Sequence, residues 1–245
     1  MPHVTYRYLS PAVQKHTQAE ILLPDPSLRG PFHVMFLLHG LSDDQSIWMR
    51  RTSIERYVDG LPLIVVMPDG GRGWYTDAEQ GYAYLQAIGA ELPNYIEKTF
   101  PTKGPWCVSG LSMGGYGALK IALRFPEKFR SAVSHSGALH MGHWPPNRED
   151  EFNREVGRIF GASPEGGPDD LYALSTGIEG RLMPKMRFDC GLDDFLLDAN
   201  RDFHRHLSEH GIDHEYEEYP GSHEWGYWDR HVQEGLQFHR RNLDF

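Results

Sequence analysis

The apolar positions of this chain fall into two rhythms. Residues 33–38 and 63–67 are short, nearly unbroken apolar runs, the pattern of strands buried on both faces. Residues 4–10 and 17–23 alternate instead, which predicts two strands paired across a turn around Pro11 to Gln14. Helical spacing predicts a helix over 46–58, begun by Ser46 and stopped near Gly60. A second is predicted over 82–98, where Tyr84, Ile88, Leu92 and Ile96 share a face and Pro93 marks a kink or an early-turn position.

Further strands are predicted at 106–108, 131–134, 186–190 and 214–219, with helices at 118–124, 198–210 and 226–241. Strands alternating with helices demand parallel crossovers. The expected fold class is therefore α/β: a mostly parallel twisted sheet of about eight strands, helices on both faces, and the first two strands as an antiparallel edge. Residues 137–181 break the rhythm. They hold Pro145-Pro146, Pro164 and Gly166-Gly167-Pro168, with helical patches only near 150–160 and 169–175. Falling between strands, this stretch is expected to be a lid or cap on a single domain spanning 1–245.

Composition narrows the function classes. A net charge of −10 disfavours a nucleic-acid partner, because phosphate binding leans on clustered Lys and Arg. No apolar run approaches a membrane span, and the N-terminus shows no basic segment followed by an apolar one, so a cytoplasmic protein is expected. The two cysteines, Cys107 and Cys190, both fall in predicted strands and are expected to be reduced. A homo-oligomer stays open.

The chemistry centres on Gly110-Leu111-Ser112-Met113-Gly114. This is G-x-S-x-G with a strand (Trp106, Cys107, Val108) before it and a helix-forming run after it, the context of a nucleophile elbow. A serine hydroxyl is a weak nucleophile and needs a base, and the base needs an orienter. In a parallel sheet such groups gather where strands end. Most of the fourteen histidines read as surface or helix residues, but His223 follows the last strand and fits the chain order Ser, Asp, His. The strand ending at Cys190-Gly191 is followed by Asp193 and Asp194, and spacing alone does not choose between them. Oxyanion donors are expected from the backbone N–H groups of Met113 and Leu41, the latter just after His39-Gly40. His39 itself reads as structural. No metal ligand set and no cofactor is expected, and H-E-x-x-H is absent from the sequence.

Several motifs together carry a resemblance. They are His39-Gly40-Leu41 with Trp48; Met67-Pro68-Asp69-Gly70-Gly71-Arg72 with Tyr75-Thr76-Asp77; Gly110 to Gly115; Cys190-Gly191 with Asp194-Phe195-Leu196; and Gly221-Ser222-His223-Glu224-Trp225 with Trp228. The chain resembles the esterase D and tributyrin esterase family of the α/β-hydrolases over nearly its whole length. That family holds short-chain carboxylesterases, S-formylglutathione hydrolases, feruloyl and acetylxylan esterases, and mycolyltransferases. The resemblance implies an α/β-hydrolase fold and ester cleavage, and its motif places the catalytic acid at Asp194.

The expected function is a serine carboxylesterase acting on short-acyl or small aromatic-acyl esters through an acyl-enzyme on Ser112, with a small-molecule ester as its partner. Trp48, Trp144 and Trp225 are expected to line the substrate site. A thioesterase of the S-formylglutathione type or a feruloyl or acetylxylan esterase is the nearest alternative. From another class, a catalytically silent hydrolase fold serving as a binding module is the rival.

Overall fold

A computed structural model describes residues 1–144 and 150–245 of the chain. In chain order the elements up to the elbow are β1 (His3–Ser10), β2 (Lys15–Leu22), β3 (His33–Leu38), α1 (Ile47–Arg51), α2 (Ile54–Val58), β4 (Leu63–Pro68), α3 (Tyr84–Gln86), α4 (Leu92–Thr99) and β5 (Trp106–Leu111). Then follow α5 (Met113–Arg124), β6 (Phe129–His135), α6 (Glu151–Phe160), α7 (Leu171–Gly177), β7 (Lys185–Gly191), α8 (Leu197–Glu209), β8 (His214–Tyr219) and α9 (Trp225–Leu243).

The eight strands form one sheet in the order β1-β2-β4-β3-β5-β6-β7-β8. β1 and β2 make an antiparallel hairpin with His3 opposite Leu22, and β2 runs antiparallel to β4. Every other pairing is parallel. The predicted architecture is therefore the one found.

All six residues of β3 and of β4 are buried, and their alternation splits the core in two. Val34, Phe36 and Leu38 join Ile64 and Val66 on the face covered by α4 and α5. Met35 and Leu37 join Val65 and Met67 on the other face, against Trp48 and Ile54 and against Val232 and Leu236 of α9. α9 is also pinned through its buried His239, which lies 2.7 Å from both Ser109 Oγ of β5 and Ser131 Oγ of β6. Burial pushes His239 down to about 3, so the ring is neutral, donating through one nitrogen and accepting through the other.

Two predicted helices differ in detail. The helix expected over 46–58 is broken into α1 and α2 at Thr52–Ser53. Asp229 of α9 takes the Ser53 N–H at 2.7 Å and the Tyr57 hydroxyl at 3.1 Å, so a long-range partner replaces the local ladder. The helix expected over 82–98 continues through a π-turn at Ala87–Glu91 into α4, with Pro93 at its start. A proline ring clashes with the carbonyl four residues back, and the wider turn just upstream lets the helix pass that point.

The stretch between β6 and β7 carries α6 and α7, close to the two helical patches expected there; Pro145-Pro146 lies outside the described residues. It packs on the elbow helix and on the loop after β4. Phe160 meets Trp74 and Tyr116, Arg72 pairs with Glu155, and the Tyr116 hydroxyl donates to the Asp169 carbonyl at 2.6 Å.

Candidate active site

The carboxyl ends of β3, β5, β7 and β8 converge on one cleft of about 800 Å³. β5 ends in the elbow. Ser112 has φ 53° and ψ −116°, a strained backbone held by its N–H on the His135 carbonyl at 3.0 Å. Gly114 permits this turn. A Cβ there would lie 2.6 Å from the carbonyl oxygens of Leu38 and His39, so only glycine lets α5 start against the end of β3.

His223 lies in the loop after β8. Its Nε2 is 3.1 Å from Ser112 Oγ, and its Nδ1 is 2.9 Å from Asp194 Oδ2. The loops that carry the two residues touch. A Cβ on Gly191 would fall 2.4 Å from the Gly221 carbonyl oxygen, and the Asp193 N–H donates to that same oxygen at 2.9 Å. Asp194 points inward and is buried, whereas Asp193 is exposed.

Burial pushes the Asp194 carboxyl up, but its hydrogen bonds outweigh that. The His223 N–H, the Leu196 N–H at 2.8 Å, the imidazole's charge and the Ser136 hydroxyl together hold it below its ordinary value. Ser136 in turn accepts the Trp228 indole N–H at 3.2 Å, and Trp228 sets its ring edge-on to His223 at 4.9 Å. The Phe195 ring, 77% exposed, lies 4.5 Å from the imidazole on its way to solvent. Ser136 and Trp228 are thus further contacts of the acid and the base. The sequence hinted at Trp228, which belongs to the motif around His223, but held no signal for Ser136.

Leu41 lines the cleft beside Ser112. Among the described residues, neither the Leu41 N–H nor the Met113 N–H is taken up by a protein acceptor. His39 steadies this loop. Its Nδ1 donates to the Gly40 carbonyl at 2.8 Å and its Nε2 accepts the Gly70 N–H at 2.8 Å, which leaves one neutral tautomer. Burial pushes its pKa down, in keeping with that neutral form. The Tyr75 hydroxyl donates to the His39 carbonyl at 2.9 Å.

The three tryptophans expected at the substrate site part company. Trp225 lines the cleft. Trp48 does not: it is 0% exposed, donates its indole N–H to the Leu38 carbonyl at 3.0 Å, and backs Trp225 edge-on. The expectation is corrected there, because a side chain sealed in the core has no face left for a ligand. Trp144 is half-buried in the insertion, with its N–H on Asn153 at 2.6 Å and its ring against Phe152, and it is not on the wall of this cleft. His135, another histidine at a strand end, is wholly buried. It donates through Nδ1 to Asp189 at 2.9 Å, and the Tyr227 hydroxyl covers the other Asp189 oxygen. Among the described residues no group of three or more His, Cys, Asp or Glu is placed to hold a metal ion, and no helix is long and apolar enough to cross a membrane.

A hydroxyl within reach of an imidazole nitrogen, whose other N–H rests on a buried carboxylate, is the constellation that permits nucleophilic acyl transfer. Comparisons with known proteins agree. The sequence matches the Esterase family over residues 10–239. An acetyl esterase of Caldicellulosiruptor saccharolyticus is 30% identical over 217 residues, covering 83% of this chain and 82% of the relative. Among solved structures, the substrate-bound fluorophosphonate-binding serine hydrolase FphF of Staphylococcus aureus superposes with a TM-score of 0.87 at 31% identity, over 96% of this chain and 97% of that one. The S-formylglutathione hydrolase FrmB of the same organism, as apoenzyme, gives a TM-score of 0.84 at 30% identity over the same shares. Fold and site define a serine hydrolase of the α/β-hydrolase type. The chain belongs to the Esterase family and is a serine carboxylic ester hydrolase.

Proposed function

We propose that the chain hydrolyses short-acyl or small aromatic-acyl esters through an acyl-enzyme on Ser112. The observation that carries this reading is the 3.1 Å approach of His223 Nε2 to Ser112 Oγ with Asp194 on the opposite ring nitrogen. His223 takes the hydroxyl proton as Oγ attacks the ester carbonyl. Asp194 keeps the proton of the neutral ring on Nδ1 and stabilises the imidazolium that forms. The Leu41 and Met113 N–H groups receive the oxyanion. The C–O bond then breaks, the alcohol leaves with the proton from His223, and water repeats the sequence to release the acid. The described part of the insertion between β6 and β7, packed on the elbow helix, serves in this reading as a lid or cap. The acetyl esterase relative supports a short acyl group. Two free buried thiols suit a reducing, cytoplasmic setting.

A thioester is the second reading, favoured by the likeness to FrmB, an S-formylglutathione hydrolase. Turnover of p-nitrophenyl acetate, methyl ferulate and S-formylglutathione separates the readings. Wild type is expected to cleave the acetate and to be labelled by a fluorophosphonate, and Ser112→Ala to do neither. Labelling that survives in Ser112→Ala moves the nucleophile elsewhere. An unlabelled, inactive wild type means a silent binding module.

A further inference from the structure

The leaving group of the ester takes its proton from His223 Nε2, so it must pass within hydrogen-bond reach of that nitrogen. A side chain that both touches the imidazole and faces the cleft therefore borders the departing alcohol. Among the described residues, Ser112 and Asp194 hydrogen-bond to the imidazole side chain to side chain. Two rings stand against it, Phe195 at 4.5 Å and Trp228 at 4.9 Å. Ser112 is the nucleophile, and Asp194 sits behind the ring on Nδ1. Trp228 is 5% exposed and has its indole N–H on Ser136. Phe195 is left as the neighbour with a face free for a ligand, and it lines the cleft together with Ser112 and His223. Asp43, Arg50, Arg51 and Glu224 share that wall, but among the described residues none of them makes a hydrogen bond or ion pair with the imidazole.

Packing does not account for where Phe195 points. It is the most exposed large apolar side chain among the described residues and belongs to neither apolar core. A lone apolar residue scattered on a surface needs no explanation. This one is held over the catalytic base. The Asp194 N–H donates to the Gly191 carbonyl at 3.1 Å, the Leu197 N–H donates to the Asp194 carbonyl at 3.1 Å, and Leu196 is buried. The backbone on both sides of Phe195 is thus fixed, and a ring presented by a fixed turn covers a ligand at little ordering cost.

We propose that Phe195 determines specificity for the leaving group: its free face covers an apolar alcohol while that group takes its proton from His223, so that among esters of one acid those of an apolar, ring-bearing alcohol are preferred to those of an equally acidic polar one. This rests on the serine-esterase reading of Ser112 and His223 and specifies its substrate class. The contact is made before the chemical step and kept through it. It therefore acts on KM more than on kcat.

Two acetates whose alcohols are of similar acidity test it: benzyl acetate, apolar, and 2-methoxyethyl acetate, polar. Wild type is expected to favour benzyl acetate in kcat/KM by about five- to fiftyfold, through KM, the scale for covering about 40–90 Å² of apolar surface. In Phe195→Ala that ratio should fall by about threefold or more, and Phe195→Leu, which keeps an apolar side chain there, should hold most of it. Because a ratio is read, general losses of activity cancel. A side chain that merely propped the imidazole would slow both esters alike and leave the ratio where it was. Binding of the two intact esters to Ser112→Ala, followed by NMR titration, should show the same order without turnover and lose it in S112A/F195A. No preference in wild type, or one unchanged in Phe195→Ala, overturns the proposal. Should wild type cleave neither ester, the titration decides: binding ordered as expected counts against the esterase reading and leaves the apolar subsite standing, and equal binding of the two esters overturns the subsite as well.

Discussion

Lys120 Nζ and Asp169 Oδ1 meet at 2.5 Å, joining the elbow helix to the insertion with the lysine side chain wholly buried. Thr76 and Tyr116 complete its hydrogen bonds. Burial pushes the amine down to about 8 against the pull of Asp169. The unfolded lysine keeps its proton up to its ordinary value of 10.5. Between those values the unfolded chain binds more protons, so this group's contribution to stability rises with pH. Urea unfolding of wild type and Lys120→Met should show the gap moving in the wild type's favour by roughly 1–3 kcal/mol from pH ~8 to ~10. A gap that moves the other way means that Asp169 holds the lysine charged throughout.

Asp169→Asn leaves that ammonium group without its anion. A loss of about 3 kcal/mol is expected at neutral pH, the scale for breaking one side of a buried pair. The insertion should also become the first site of proteolytic nicking. Unchanged stability together with unchanged protease resistance would show that the pair does not hold the insertion in place.

Asp194 is held below its ordinary value of 3.8 and stays ionised while His223 takes up its proton. Protonation of this carboxylate should therefore not shape the acid limb of kcat/KM above its ordinary value. Asp194→Asn should lower kcat by about 10⁴-fold, the scale for turning a triad carboxylate into an amide, and exposed Asp193→Asn should leave it within a few-fold. The reverse result would reassign the acid.

Trp228→Phe keeps a ring against His223 but removes the N–H to Ser136. A three- to tenfold drop in kcat, about one hydrogen bond, is expected with KM little changed. In a double-mutant cycle the Ser136→Ala effect should shrink in the Asp194→Asn background, because both changes act on one carboxylate. Full additivity would detach Ser136 from the acid.

Trp48→Phe and Trp225→Ala should split cleanly. The first removes the indole N–H that donates to the buried Leu38 carbonyl and should cost about 0.5–1.5 kcal/mol of stability with KM unchanged. The second strips the cleft wall and should raise KM with stability nearly unchanged. A raised KM for Trp48→Phe would show that the cleft reaches deeper than its present wall.

What could be read from the chain alone follows a physical line. β3 and β4 betray themselves because a strand buried on both faces has no polar position to spare. Ser112 and His223 were legible because elbow and chain order constrain both. Spacing alone did not choose between Asp193 and Asp194; the family motif did. The choice turns on which way one loop residue points, and adjacent residues of a turn point differently. The break at Thr52–Ser53 was hidden for a related reason: the residue that causes it, Asp229, lies 176 positions away from Ser53. Trp48 shows the opposite error. An aromatic beside a motif is near the site in sequence, yet a helix turns half its side chains inward.

The His39 imidazole, locked between the Gly40 carbonyl and the Gly70 N–H, ties the loop that bears Leu41 to one protonation state. Protonating His39 breaks the tie, since Nε2 would then present a proton to the Gly70 N–H instead of a lone pair. Burial holds that event to lower pH, and stability drains away as pH falls below the ordinary value of 6.5 and through the depressed one. The loop is thereby a built-in fuse, which opens in acid and closes again only as fast as the loop can fold back.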